Sequence, residues 1–316
     1  MSDSELAALA EQIYKAMKGS GCDKDTLIRI ATQYPLTIRL KLRDKYKSLY
    51  GQDLLDDFKS NLSGNLCEVM LGLYTDIYEY DADQCYKAIK GLGTDEDTLI
   101  EIIGTRPNWM LKKIKKIYQK KYNKELEDDV KGDTSGVFQN LLVALLQCGR
   151  SDDKVPDIQK CAEIAKDLFK GNQDKNKIGI DETKMIKYFA ILSPCELMHL
   201  AREYHREYGK SLINVIEDDF SGDIQSLIKT IFYANICPSE YFATRIRLAI
   251  KGIGTNEKIL NRVIITRNEV DMDIIKEYYN ILFSINLVDD VKGDTSGDYQ
   301  KLLLALINKK SIVTRS

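Results

Sequence analysis

Apolar residues recur along this chain at helical spacing. Phe138, Leu141, Leu142, Leu145 and Leu146 fall at i, i+3, i+4, i+7 and i+8, one face of an amphipathic helix. Leu111, Ile114, Ile117 and Tyr118 do the same after Pro107, a residue tolerated in the first helical turn. Leu6, Leu9, Ala10, Ile13 and Met17 repeat the pattern near the start. No alternating run bounded by hairpin turns interrupts these segments. The pattern predicts an all-α fold of many short helices. Its longest apolar runs, such as LLVALL at 141–146, fall far short of a membrane span.

The pattern also repeats on a larger scale. DDVKGDTSG occurs at 128–136 and again at 289–297, and IKGLGT at 89–94 returns as IKGIGT at 250–255, both at an offset of 161. The chain therefore carries two related halves. Weaker copies lie between them, MKGSG at 17–21 and a looser loop ending at Gly179. The second glycines, Gly21, Gly93, Gly179 and Gly254, are spaced by 72, 86 and 75 residues. Forty residues beyond each stand Asn61, Asp133, Asp219 and Asp294, every one three residues before a glycine. Eleven residues before each of those stands an aromatic, Tyr50, Tyr122, Tyr208 and Phe283. Spacings held four times indicate four homologous units: 1–76, 77–148, 159–236 and 237–316, with a polar linker at 149–158.

Composition narrows the class of protein without naming it. With 44% hydrophobic and 30% charged residues among 316, the chain has the make-up of a soluble globular protein. A net charge of −2 and the absence of an arginine-rich arm argue against nucleic acid as partner. The opening MSDSELAALAEQ lacks a basic region followed by a long apolar one, so no signal peptide is expected. Seven scattered cysteines, without paired metal spacing, read as reduced thiols of a cytoplasmic protein.

The glycine loops and the acids carry the candidate chemistry. Glycines permit backbone conformations with φ > 0 and leave carbonyls unobstructed, and the last carbonyls of a helix lack intrahelical partners. Such carbonyls closed by one carboxylate suit a hard cation, calcium above all. A plainer reading makes KGxGT a C-cap glycine followed by a threonine N-cap, with Asp97 in a capping box. Recurrence of loop and acid at one spacing favours the metal. Other motifs fail on inspection. DKNKIG at 174–179 resembles the start of an EF-hand, but Ile178 and Met185 stand where oxygen ligands belong. GLGTDE follows a helix and has Glu96 in place of a third glycine, so it is no dinucleotide fingerprint. His199 and His205 lie six apart, on different faces of a helix, and form no zinc motif. Trp109 is expected in the core of the second unit. No nucleophile–base pairing emerges, so a non-enzymatic protein is expected.

Four units of this length, the KGxGT and GDTSG loops, and the longer link between units two and three resemble the annexin family over essentially the whole chain. The resemblance implies five helices per repeat, a curved disc, and calcium-dependent attachment to anionic phospholipid membranes, including phosphatidylserine, from the cytoplasmic side. It implies metal ligands at the carbonyls of Ile89, Gly91 and Gly93 with the Asp133 carboxylate, and at Ile250, Gly252 and Gly254 with Asp294. Accessory sites would map to Thr94 with Glu96 and to Thr255 with Glu257. Repeat one keeps Met17, Gly19 and Gly21 but has Asn61 in place of the acid. Repeat three keeps Asp219 but carries the longer KGNQDKNKIGIDE loop. Uneven occupancy is expected. A rival reading gives the same helical platform a scaffolding role with cytoskeletal partners.

Overall fold

The computed structural model describes residues 1–18, 21–171, 178–252 and 254–309, and helices occupy the segments that the apolar periodicity marks. Repeat one contains α1 (Asp3–Lys18), α2 (Lys24–Gln33), α3 (Leu36–Tyr50), α4 (Leu54–Asn61) and α5 (Gly64–Leu73). Repeat two contains α6 (Ile77–Ile89), α7 (Glu96–Thr105), α8 (Asn108–Tyr122), α9 (Leu126–Asp133) and α10 (Gly136–Leu146). Repeat three contains α11 (Ile158–Leu168), α12 (Glu182–Ile191), α13 (Pro194–Tyr208), α14 (Leu212–Asp219) and α15 (Gly222–Ile236). Repeat four contains α16 (Pro238–Ile250), α17 (Glu257–Arg267), α18 (Met272–Phe283), α19 (Leu287–Asp294) and α20 (Gly297–Ile307). No helix among the described residues is long and apolar enough to cross a membrane.

The third helix of each repeat ends the same way. Gly51, Asn123, Gly209 and Ser284 follow the recurring aromatic, adopt φ of 69°, 54°, 68° and 54°, and donate an N–H back to the last turn. Such left-handed residues stop a helix while satisfying one of its orphan carbonyls. The aromatic itself is stacked in three repeats: Tyr50 on Tyr14, Tyr122 on Tyr86 and Tyr208 on Phe169, with ring centroids 4.0, 3.7 and 4.3 Å apart. In repeat four, Arg247 replaces the partner ring and lies 5.6 Å over Phe283.

The helices gather into two units, residues 1–80 with 242–316, and residues 81–241. In the first, α5 packs on α17 so closely that a Cβ on Gly72 would stand 2.6 Å from Ile265 Cδ1. Buried Arg39 also ties repeat one to repeat four there: it donates to the carbonyls of Leu73, Tyr34 and Ala31 and to the Glu269 carboxylate. In the second unit, α7 packs on α15, and a Cβ on Gly104 would meet Thr230 Cγ2 at 2.9 Å. Buried Arg106 pairs there with Asp81 through two hydrogen bonds of 2.7 and 3.0 Å.

The all-α fold carries one addition among the described residues, an antiparallel ribbon of β1 (Phe169–Gly171) with β2 (Ile178–Ile180), in register Phe169↔Ile180. The longer loop of repeat three extends two arms that satisfy their backbone groups on each other. Trp109 is not in the core: it is 54% exposed, with Lys113 Nζ 5.2 Å above its ring. The buried face of α8 is Leu111, Ile114 and Tyr118, and position 109 lies about 200° around the helix from Leu111.

Candidate metal centres

Each repeat closes its first loop with one backbone bond. Asp23 N–H donates to Ala16 O, Asp95 to Ala88 O, Asp181 to Leu168 O and Asn256 to Ala249 O, over 2.7–3.0 Å. The donor residue is also the N-cap of the next helix, its side chain accepting from Thr26, Thr98, Lys184 and Ile259 N–H. The threonine of KGxGT is therefore not the cap, as the plainer reading supposed. Its hydroxyl has another role.

Thr94 Oγ1 donates to Asp133 Oδ2 at 2.6 Å, and Thr255 Oγ1 to Asp294 Oδ2 at 2.5 Å. Each acid is the last residue of its helix, α9 or α19, and the bond anchors one carboxylate oxygen against the loop. In repeat three the equivalent donor is a backbone group, Ile180 N–H, at 2.6 Å from Asp219 Oδ2. In repeat one the pair has become Cys22 and Asn61, and the Asn61 amide donates to Asp57 O within its own helix instead. All four pairs are 39 residues apart.

The loops carry candidate donor oxygens. Among the described residues, no backbone N–H takes the carbonyl of Ile89, Gly91 or Gly93, or of Ile250, Gly252 or Gly254. Gly91, Gly93 and Gly254 hold φ of 153°, 87° and 86°, in empty surroundings, so backbone conformation and not space requires glycine. Ile89 and Asp133 share the wall of a 330 Å³ cleft with Lys90 and Lys124. No cluster of three His, Cys, Asp or Glu side chains gathers among the described residues, so carbonyls must supply most donors for any metal here. Uncommitted carbonyls with a single carboxylate are what a hard cation of flexible coordination takes. Glu96 and Glu257, named for accessory sites, open α7 and α17 two residues after those threonines. Between Gly91 and Gly93, Leu92 projects with full exposure.

The turn after each acid is equally regular. Gly64, Gly136, Gly222 and Gly297 adopt φ of 58–66°, a conformation L side chains resist. Gln139, Gln225 and Gln300 reach back to carbonyls of the preceding helix, from Lys131, Glu217 and Lys292, at 2.7–3.1 Å. Of the sequence-based positions, Gly19 lies outside the described residues, as do Asp174 and Asn176 of the rejected EF-hand pattern. Met185, assigned by that pattern to a ligand position, is fully buried. Sequence reasoning missed the threonine–acid bond, although the constant separation of 39 was available to it.

The family model described as Annexin matches residues 8–73, 80–145, 172–231 and 241–306. Annexin A4 of Sus scrofa is 38% identical over 297 residues, covering 94% of this chain and 92% of that protein. Among solved structures, annexin III superposes with a TM-score of 0.92 at 34% identity, covering 97% of this chain and 94% of that one. A calcium-bound annexin (Sm)1 gives a TM-score of 0.83 at 30% identity, covering 96% and 90%.

Proposed function

The chain belongs to the annexin family, and on that premise we propose that it attaches to anionic phospholipid membranes through calcium held by the loops of repeats two and four. The observation that carries this reading is the pairing, twice, of uncommitted loop carbonyls with an acid anchored by a threonine hydroxyl. Ile89, Gly91, Gly93 and Asp133 would hold one ion, and Ile250, Gly252, Gly254 and Asp294 the other. Bound calcium supplies positive charge to which a lipid phosphate can add its oxygens. Thr94 and Thr255 orient the carboxylates, and exposed Leu92 offers apolar surface to the membrane interface. One carboxylate per site is a low charge count, which favours weak affinity, on the order of 10⁻⁴–10⁻³ M without membrane. Two weak sites engaged together gain through effective concentration. Repeat three lacks the glycine loop, and repeat one lacks both the acid and its hydroxyl partner, so neither matches this donor set. A calcium-bound relative of similar fold supports the choice of metal.

The test is co-sedimentation with phosphatidylserine vesicles. Binding is expected with calcium and lost on chelation, and Asp133→Ala with Asp294→Ala should raise the calcium requirement sharply while the helical circular dichroism stays unchanged. Wild-type behaviour in that double variant would remove these loops from the membrane contact.

A further inference from the structure

A 410 Å³ cleft lies in the unit that joins repeats one and four, within the size range of small-ligand sites. Asp294 and Glu257 of repeat four line it, as do Asn61 at the end of α4 and Ser63 and Asn65 at the start of α5. Lys24 and Asp298 close it, their charged groups 3.3 Å apart. The degenerate acid position of repeat one thus lines the same cleft as the intact acid of repeat four.

The wall is rich in groups able both to donate and to accept. Ser63 and Ser296 stand at helix N-caps without making a side-chain capping bond, so their hydroxyls are not engaged there. Asn61 spends only its Nδ2 on Asp57 O, leaving Oδ1. Half-buried Asn65 makes no side-chain hydrogen bond with another described residue. Charge points the same way. One lysine against three carboxylates leaves the wall net negative by two, and a divalent cation at Asp294 would neutralise it. With the net charge so cancelled, the serine, threonine and asparagine groups of the wall suit a neutral polyol better than an ammonium or a carboxylate. The cleft at Asp133 differs: no serine, threonine or asparagine lines it.

We propose that the cleft between repeats one and four reads the polyol of a phosphorylated polyol, such as an inositol phosphate, whose phosphate adds to calcium at Asp294. This rests on the calcium reading of that site. Repeat one, on this assignment, supplies specificity to its neighbour through Ser63 and Asn65.

Vesicles containing phosphatidylinositol or phosphatidylserine at equal charge fraction provide the test. The wild type should need roughly fivefold less calcium on phosphatidylinositol, the worth of one neutral hydrogen bond. Ser63→Ala with Asn65→Leu should abolish that difference and leave the requirement on phosphatidylserine unchanged. In parallel, calorimetry should detect myo-inositol 1-phosphate binding to the wild type in millimolar calcium and none to the double variant. Binding of the soluble phosphate without any vesicle preference identifies the free compound as the source and keeps the cleft assignment. Equal calcium requirements together with no soluble binding overturn it, as does a preference that survives the double variant. Failure of the wild type to sediment with either vesicle would refute the membrane reading, and the soluble titration alone would then decide the cleft.

Discussion

Cys22 stands where Thr94 and Thr255 donate a hydroxyl, and Asn61 stands where each finds its acid. Repeat one has lost both members of a pair that works only together, since a carboxylate without its donor is not held against the loop. Restoring the acid alone should therefore accomplish less than restoring both. Cys22→Thr with Asn61→Asp is expected to give a calcium-dependent rise in melting temperature that exceeds the rise from Asn61→Asp alone. At calcium tenfold above Kd, one added site is worth about 1.4 kcal/mol. Differential scanning calorimetry across a calcium series measures it, and identical calcium responses in the double variant and wild type would show that the loop geometry is also gone. The sequence exposed Asn61 as the odd position, because the spacing singled it out. It did not expose Cys22, because a hydrogen bond between side chains 39 residues apart has no local signature.

At the scale of elements, a tyrosine on the third helix of a repeat is tied to an acid on the fourth. Tyr46 donates to Asp57, Tyr118 to Asp129 and Tyr279 to Asp290, each pair eleven residues apart. In repeat three the acid position is Val215, and the buried Tyr204 hydroxyl has no partner among the described residues. An orphaned buried hydroxyl costs about 1–3 kcal/mol. Tyr204→Phe should thus stabilise the protein, while Tyr118→Phe should destabilise it by leaving Asp129 without that donor. Urea denaturation of the two variants provides the comparison, and a loss of stability in Tyr204→Phe would mean that the hydroxyl has an unrecognised partner. The sequence placed His199 and His205 on a helix, now α13, but could not show this defect, which arises only where one helix meets another.

At the scale of the whole molecule, a buried charge joins two repeats distant in sequence. Arg39 connects α3 with Glu269, which also accepts from Leu36 N–H and Lys309. Arg39→Met would take the buried guanidinium from Glu269 and a donor from three carbonyls, and removing one partner of a buried pair typically costs about 3–5 kcal/mol. A correspondingly lower denaturation midpoint is expected, and a change below about 1 kcal/mol would show the pair to be dispensable. Buried tyrosines give a second molecule-wide effect. Burial pushes Tyr188 and Tyr204 up to about 12, and pushes Tyr74, Tyr279 and Tyr299 higher still. An unfolded tyrosine titrates near 10, roughly, so folding favours the neutral phenol. That stability is intact below the unfolded value and is lost as pH rises through the folded ones. Melting temperature should hold to about pH 9.5 and fall steeply between about pH 10 and 12. A flat profile to pH 11.5 would contradict it.

The sequence by itself determined the elements and the repeat. Helical periodicity is a local property of side-chain spacing, and glycines needing positive φ announce their turns, so fold class, the two glycine loops and the two acids were legible from residue order. Contacts between residues far apart in the chain were not. Tertiary structure decided that Thr94 and Thr255 serve the acids and not the helix caps. It turned Trp109 outward and paired the arms of the repeat-three loop as a ribbon. It also brought Asn61 to the cleft that Asp294 lines. Each of these depends on which groups meet after the helices pack, and packing is fixed by the burial of apolar faces whose partners lie tens to hundreds of residues away.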